Sequence, residues 1–319
     1  MTASGLTPQR DGSTDRGKEF YDNKESVDSA KTHAEPGAPT PPSPLLWVTL
    51  LSLDAPAVAV LWQRLFARCF QVRLEGSVTL LLALVVWLIY VADRFLDTLA
   101  APARDTEAVR HNFYRRRRWA FALPFFAAFG LACWLALTRI DPRTFRDGLI
   151  ILLAVGVYFF LVHLRKPERH VPKEMLVGIL FGLGTCFPAW EELRSGRIEL
   201  LAPFAVFTVL CWLNCAAIES SEWARLRHYR FGRPHPWTIW LGRRMTLVAG
   251  ATALGAAGIL LAGGGNWRLP VAEILSAGAF VLLDFWGEKI SLEIFRVLMD
   301  VALFTPLLIL AFWVVGAGL

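Results

Sequence analysis

Two pairs of carboxylates raise the first chemical question. Asp93 and Asp97 stand four residues apart at the end of a long apolar run. On a continuing helix that spacing puts both side chains on one face, about one turn apart. Glu219 and Glu222 repeat the arrangement at the end of a second run, Cys211-Trp212-Leu-Asn214 onward. Each stretch has a Trp-Leu step, Trp87 in the first and Trp212 in the second, followed by the acids and then by basic residues. Carboxylates from two helices suit Mg²⁺, which takes one or two of them and leaves its other positions to phosphate oxygens. Arg115 and Arg116 lie in the basic run after the first pair, and Arg225, Arg227 and Arg230 follow the second. The planar guanidinium fork matches phosphate geometry. Metal, carboxylates and arginines in this pattern point to a bound diphosphate.

The elements that must position these residues are membrane helices. Hydrophobic residues make up 55% of the chain, mean hydropathy is +0.44, and 13 Trp and 22 Phe accompany only 19% charged residues. That composition disfavours a soluble enzyme, a disordered protein and a disulfide scaffold. The apolar residues fall in blocks of roughly 18–25, the length a helix needs to cross about 30 Å of hydrocarbon. The expected architecture is therefore all-α and polytopic. Nine segments are expected, near 45–67, 75–94, 118–138, 147–164, 174–190, 199–219, 237–262, 269–286 and 297–318. Residues 1–44 are polar and end in a Pro-rich stretch, so they read as a disordered tail without the apolar core of a secretory signal. Of 33 Lys and Arg, 24 fall in this tail and in the linkers after segments 2, 4, 6 and 8. The positive-inside rule then predicts a multi-pass protein of the cell membrane with a cytoplasmic N-terminus. The net charge of +6 follows the same distribution and gives no argument for nucleic acid.

An acidic pair alone suits any helix end at the headgroups, and arginine runs can do no more than set orientation. The two pairs matter together, because both are expected at the cytoplasmic ends of their segments. Asp54 is placed near the middle of segment 1, where an isolated charge costs roughly 2.5–3.5 kcal/mol on the insertion scale. It is expected either to be a neutral acid bonded to another helix or to face a polar cavity, and Arg64, about 15 Å up the helix, is no partner for it. Arg296 and Asp300 are four apart and predict an ion pair within one helix. Asp284 is a further pocket candidate. The cysteines form no CxxC pair and the histidines no HExxH spacing, so zinc chemistry has no support. Gly263–Gly265 reads as a turn.

Residues 45–319, with these acids, resemble the UbiA superfamily of intramembrane prenyltransferases. Asp93 and Asp97 match the last two acids of that family's first motif, Asn-Asp-x-x-Asp-x-x-x-Asp, and Asp93-Arg94 resembles its Asp-Arg step. Lys173 followed by a Gly-containing apolar helix is similar to the family's fifth segment. Ile89 and Tyr90 stand where the family has Asn and Asp, and the second site carries Asn214, Glu219 and Glu222 instead of two aspartates. The resemblance implies a nine-helix bundle. It also implies Mg²⁺ held by Asp93, Asp97, Glu219 and Glu222, which would act as the catalytic acids. Arg94, Arg115, Arg116, Lys173, Asn214 and Asp54 would then contact substrate. The reaction implied is transfer of an isoprenyl group from an isoprenyl diphosphate to an aromatic or lipid acceptor. With fewer acids than the family, the site is expected to hold Mg²⁺ less tightly, or to hold one ion in place of two. The alternative is a non-catalytic membrane protein of the same fold, a lipid-binding factor or small transporter. A transporter favours helices broken at midplane; Pro188 and Pro306 lack a matching acid nearby, which favours the enzyme.

Overall fold

In a computed structural model, residues 51–100, 109–165, 172–193, 195–226, 233–262 and 266–316 are described; side-chain positions are described for 51–96, 122–162, 172–193, 195–226, 233–262 and 266–312. Every regular element among them is helical. In chain order they are α1 (Asp54–Cys69), α2 (Gly76–Ala100), α3 (Val109–Thr138), α4 (Pro142–Phe159), α5 (Lys173–Glu192), α6 (Arg197–Leu226), α7 (Pro236–Arg243), α8 (Met245–Leu261), α9 (Arg268–Trp286), α10 (Leu292–Val301) and α11 (Thr305–Gly316). A π turn, Phe160–Arg165, extends α4, and a 3₁₀ turn, Gly287–Lys289, follows α9. The expected tail, residues 1–44, lies outside the described residues, as does the Gly263–Gly265 turn.

Among the described residues, five helical stretches are long and apolar enough to cross a membrane: Gly76–Leu96, Pro142–Val162, Arg197–Leu226, Arg268–Lys289 and Leu292–Phe312. The bent pair α7–α8 makes six if taken as one span. The chain is thus a polytopic helical membrane protein, and the finer expectation of nine spans is not reached by length and apolarity alone. The shortfall has physical reasons. Within α3 the apolar part runs only from Ala122 to Thr138. In α1, regular helix begins at Asp54, after Ser52 turns the backbone to a φ of 58°.

Two segments expected to be continuous are broken. Segment 7 bends by 77° between Arg243 and Met245. Segment 9 is interrupted between Val301 and Thr305, just before Pro306, whose missing N–H cannot continue the helical ladder. The carbonyls freed at that break find side-chain donors. Trp62 Nε1 donates to the Leu303 carbonyl at 2.8 Å, and Asn214 Nδ2 donates to the Met299 carbonyl at 2.8 Å.

The core lies where α1, α5, α6 and α9 meet. Trp62 and Phe207 stack with centroids 4.4 Å apart, and Phe66 meets Phe207 edge-on at 5.8 Å. All three rings are fully buried. Helices α5 and α6 approach so closely that a Cβ on Gly178 would sit 2.8 Å from the Trp212 backbone nitrogen, so this position requires glycine. Outward faces of α3 and α4 carry exposed Leu123, Phe126, Ile150 and Leu153, the apolar coat a helix presents to lipid.

Candidate functional site: a capped apolar cavity

A cavity of 810 Å³ lies beside this core, between α2, α3, α4 and α5 with edges from α1 and α6. Its wall is apolar over most of its extent, with Val85, Ile89, Phe129, Ile151, Val155 and Phe181 among the lining residues. The size falls within the range of ligand pockets. Polar groups reach it from Tyr90, Tyr158, Asn214 and Asp300. An apolar chamber with most of its few polar groups toward one end, and Thr144 toward the other, accommodates a molecule with a long hydrocarbon part and a polar head.

The polar end is built from helix termini and breaks. Asp54 is the first residue of α1, not a mid-helix charge, which corrects the sequence expectation. Its Oδ1 accepts from the Ala55 backbone N–H at 3.0 Å, one of the donors left open in the first turn of the helix. Arg64 donates instead to the Leu74 carbonyl at 3.4 Å. Asp54 Oδ2 lies 3.9 Å from Arg94 Nη2, with the two side chains only 5% and 11% exposed. Asp54 also faces Asp300 within hydrogen-bonding reach. Asp300 in turn accepts from Asn214 Nδ2 at 3.4 Å. Asn214 therefore bridges α6 to the broken end of α10.

Tyr90, at the position where the resemblance expects an acid, does a different task. Its hydroxyl accepts from Arg94 Nη2 at 2.7 Å, and its ring lies 4.3 Å below the guanidinium. The phenol steers Arg94 toward Asp54. Tyr158, just before the π turn, donates its hydroxyl to Asp93 Oδ1 at 3.2 Å. Tyr90 has a local signal in its spacing of four from Arg94, whereas Tyr158 has none, because its partner Asp93 is set by helix packing.

The second acidic cluster meets different partners. Glu222 pairs with Arg296 on α10, and both side chains are largely buried, at 13% and 8% exposed. The predicted pair within α10 is thus replaced by a bond between helices: Arg296 reaches α6, and Asp300, one turn on, faces Asp54. Arg225, expected among the phosphate-binding cations, caps the α9–α10 connection by donating to the carbonyls of Gly287 and Ile290. Asp284 accepts from the Thr246 backbone N–H at 3.1 Å and so caps the start of α8. Glu174, buried at the start of α5, accepts from Thr238 Oγ1 at 2.7 Å and lies within electrostatic range of Lys173 and Glu219.

The two acidic ends do converge. Cys215 on α6, one turn before Glu219, lies within electrostatic range of Asp93, Asp300, Glu174 and Lys173. Asp93, Glu219, Lys173, Asn214, Asp54 and Arg94 therefore belong to one end of the bundle. The side chains of Asp97, Arg115 and Arg116 lie outside the described residues. Among the described residues, no three His, Cys, Asp or Glu side chains close into a metal cluster. The donor chemistry still fits one Mg²⁺, which needs only one or two carboxylates. Asp93 and Glu219 are carboxylates of the kind such an ion takes, whereas Glu222 is held by Arg296. No protein-family signature, curated protein or solved structure matches the chain.

Proposed function

We propose that the chain transfers an isoprenyl group from an isoprenyl diphosphate to an aromatic or lipid acceptor, in the manner of the UbiA superfamily. The observation that carries this reading is the 810 Å³ apolar cavity lined toward one end by Asp300, Asn214, Tyr90 and Tyr158, with Asp93 and Arg94 bonded to the two tyrosines just behind the wall. Asp93 and Glu219 would hold one Mg²⁺, with Asp97 as a further ligand on the α2 face and Glu222 in reserve behind Arg296. When bound, the ion supplies positive charge against the departing diphosphate. Lys173, with Arg115 and Arg116 in the following basic run, would add fixed cations at the same end, the electrostatic form of catalysis. Arg94 acts one step back, orienting Asp54 while Tyr90 holds it. The apolar walls would accommodate the isoprenyl chain and keep water from the reacting carbon. The asymmetry of 24 of 33 Lys and Arg supports placing this end at the cytoplasmic face of the cell membrane.

The test is retention of a labelled isoprenyl diphosphate by the purified chain, with and without Mg²⁺. Asp93→Ala and Glu219→Ala should each lower retention at least about tenfold, the size of one lost charge-assisted contact of roughly 1.4 kcal/mol. Retention that ignores both Mg²⁺ and these substitutions overturns the reading. One observation favours the small-transporter alternative. Asp300 and Asp54 meet at the break in segment 9 and the start of α1, and discontinuous helices whose ends and freed carbonyls face a polar site are how transporters hold coupling ions. Under that reading Asp54→Asn would abolish uptake of a cation into vesicles and leave diphosphate retention unchanged.

A further inference from the structure

The bend at Arg244 gives α7 a role the cavity does not explain. Its eight residues, Pro236–Arg243, are too few to cross hydrocarbon, which takes about 20. At 77° to α8, the helix runs across the direction of its neighbour. Its inner face is fixed: Thr238, Ile239 and Leu241 are buried, and Thr238 is bonded to Glu174. Gly242 packs on Ser220 with no room for a Cβ. Its outer face carries Trp237 and Trp240, 57% and 47% exposed, with ring centroids 5.7 Å apart. Arg233, Arg243 and Arg244 are exposed around this pair, and none has a carboxylate partner among the described residues. The bond from Thr246 to Asp284 sets the start of α8 level with the end of α9. There Trp286 is 59% exposed and Lys289 is also exposed, with Glu288 subtracting one charge.

Neither bulk solvent nor hydrocarbon suits this surface. Adjacent exposed indoles are costly in water, and arginines are costly in lipid tails. The headgroup layer satisfies both, since tryptophan concentrates there and basic side chains meet anionic lipid. We propose that α7, with Arg233 and Arg244 at its ends, is a binding site for an anionic phospholipid of the surrounding bilayer. The indoles of Trp237 and Trp240 lie at the acyl boundary, and the guanidinium groups of Arg233, Arg243 and Arg244 hold the lipid phosphate as forked donors. A lipid seated here braces α7 and, through Thr238, the Glu174 end of α5. The inference stands on the helix geometry and is independent of the proposed transferase activity.

The experiment follows the thermal unfolding midpoint of the full chain in neutral detergent while phosphatidylglycerol or phosphatidylcholine is added. Phosphatidylglycerol at saturating concentration should raise the midpoint by about 5 °C, the scale expected for a ligand near a hundred times its dissociation constant. Phosphatidylcholine should raise it by less than half as much. Arg243→Gln/Arg244→Gln should remove at least half of the difference between the two lipids. Arg143→Gln, at the exposed far end of α4, should keep all of it. On the unsubstituted chain, 0.5 M NaCl should also shrink the difference by screening, so the test does not depend on how the double variant folds. Equal shifts with both lipids, a difference insensitive to salt, or a double variant that keeps the full difference overturns the proposal.

Discussion

Gly156 in α4 and Gly178 in α5 both line the cavity, yet they stand in opposite surroundings. A Cβ added at Gly156 meets nothing within 4 Å, whereas one at Gly178 runs into the Trp212 backbone at 2.8 Å. The difference extends to the helices that carry them. Around α5, fully buried Trp62, Phe66 and Phe207 interlock with ring centroids 4.4–6.2 Å apart. In α4 only Val155 and Tyr158 are buried, and most other side chains face the cavity or the outside. One half of the bundle is close-packed and carries the fold, which lets the other half leave space. A membrane helix needs no hydrophobic burial against its neighbours to stay in lipid, so a wall like α4 can be loosely packed without leaving the structure.

Substitutions can break this contrast or sharpen it. The largest effect is expected for Phe207→Ala, which removes the ring at the centre of the packed half and should cost about 3–5 kcal/mol. Chemical unfolding in mixed micelles measures it, and a loss below about 1 kcal/mol would mean that half is not the stabilising core. Gly178→Ala comes next, at about 1–3 kcal/mol, because the obstruction is backbone and cannot rotate away. A neutral result there would show that α5 and α6 can separate. Gly156→Trp should fold with an unchanged midpoint but fill part of the cavity. Retention of a labelled isoprenyl diphosphate should then fall about tenfold, a difference of roughly 1.4 kcal/mol. Equal retention would place the ligand elsewhere. The smallest change is Gly156→Ala, which should stabilise the open half by about 0.5–1 kcal/mol through helix propensity alone.

Much of the architecture was legible in the sequence because apolar block length and helical spanning are the same physical fact. The breaks were not. Pro306 announces the gap in segment 9, but nothing local announces the 77° bend at Arg244, which depends on α7 having Glu174 and Ser220 to dock on. Local spacing also misassigned charge partners. Arg296 and Asp300 satisfy the rule for a pair on one helix, yet Glu222 on α6 stands closer to the guanidinium and Asp54 on α1 takes the carboxylate's side. Asp54 itself was placed at mid-helix because the apolar run begins nine residues earlier, whereas regular helix starts at the aspartate. Residues joined by tertiary packing, such as Tyr158 with Asp93, leave no periodic trace.

The bond from Trp62 to the Leu303 carbonyl spans 241 residues of chain and has a consequence for biogenesis. At ribosomal speeds of about 5–20 residues per second, roughly 10–50 s separate the synthesis of its two ends. During that interval α1 has no acceptor for its buried indole and Asp54 has no Asp300 to face. The polar end of the cavity is therefore completed only after α10 and α11 have entered the membrane. A chain arrested before Leu303 would carry Asp93, Lys173 and Glu219 but an open cavity, and it would present to quality control the unpaired indole that the finished bundle conceals.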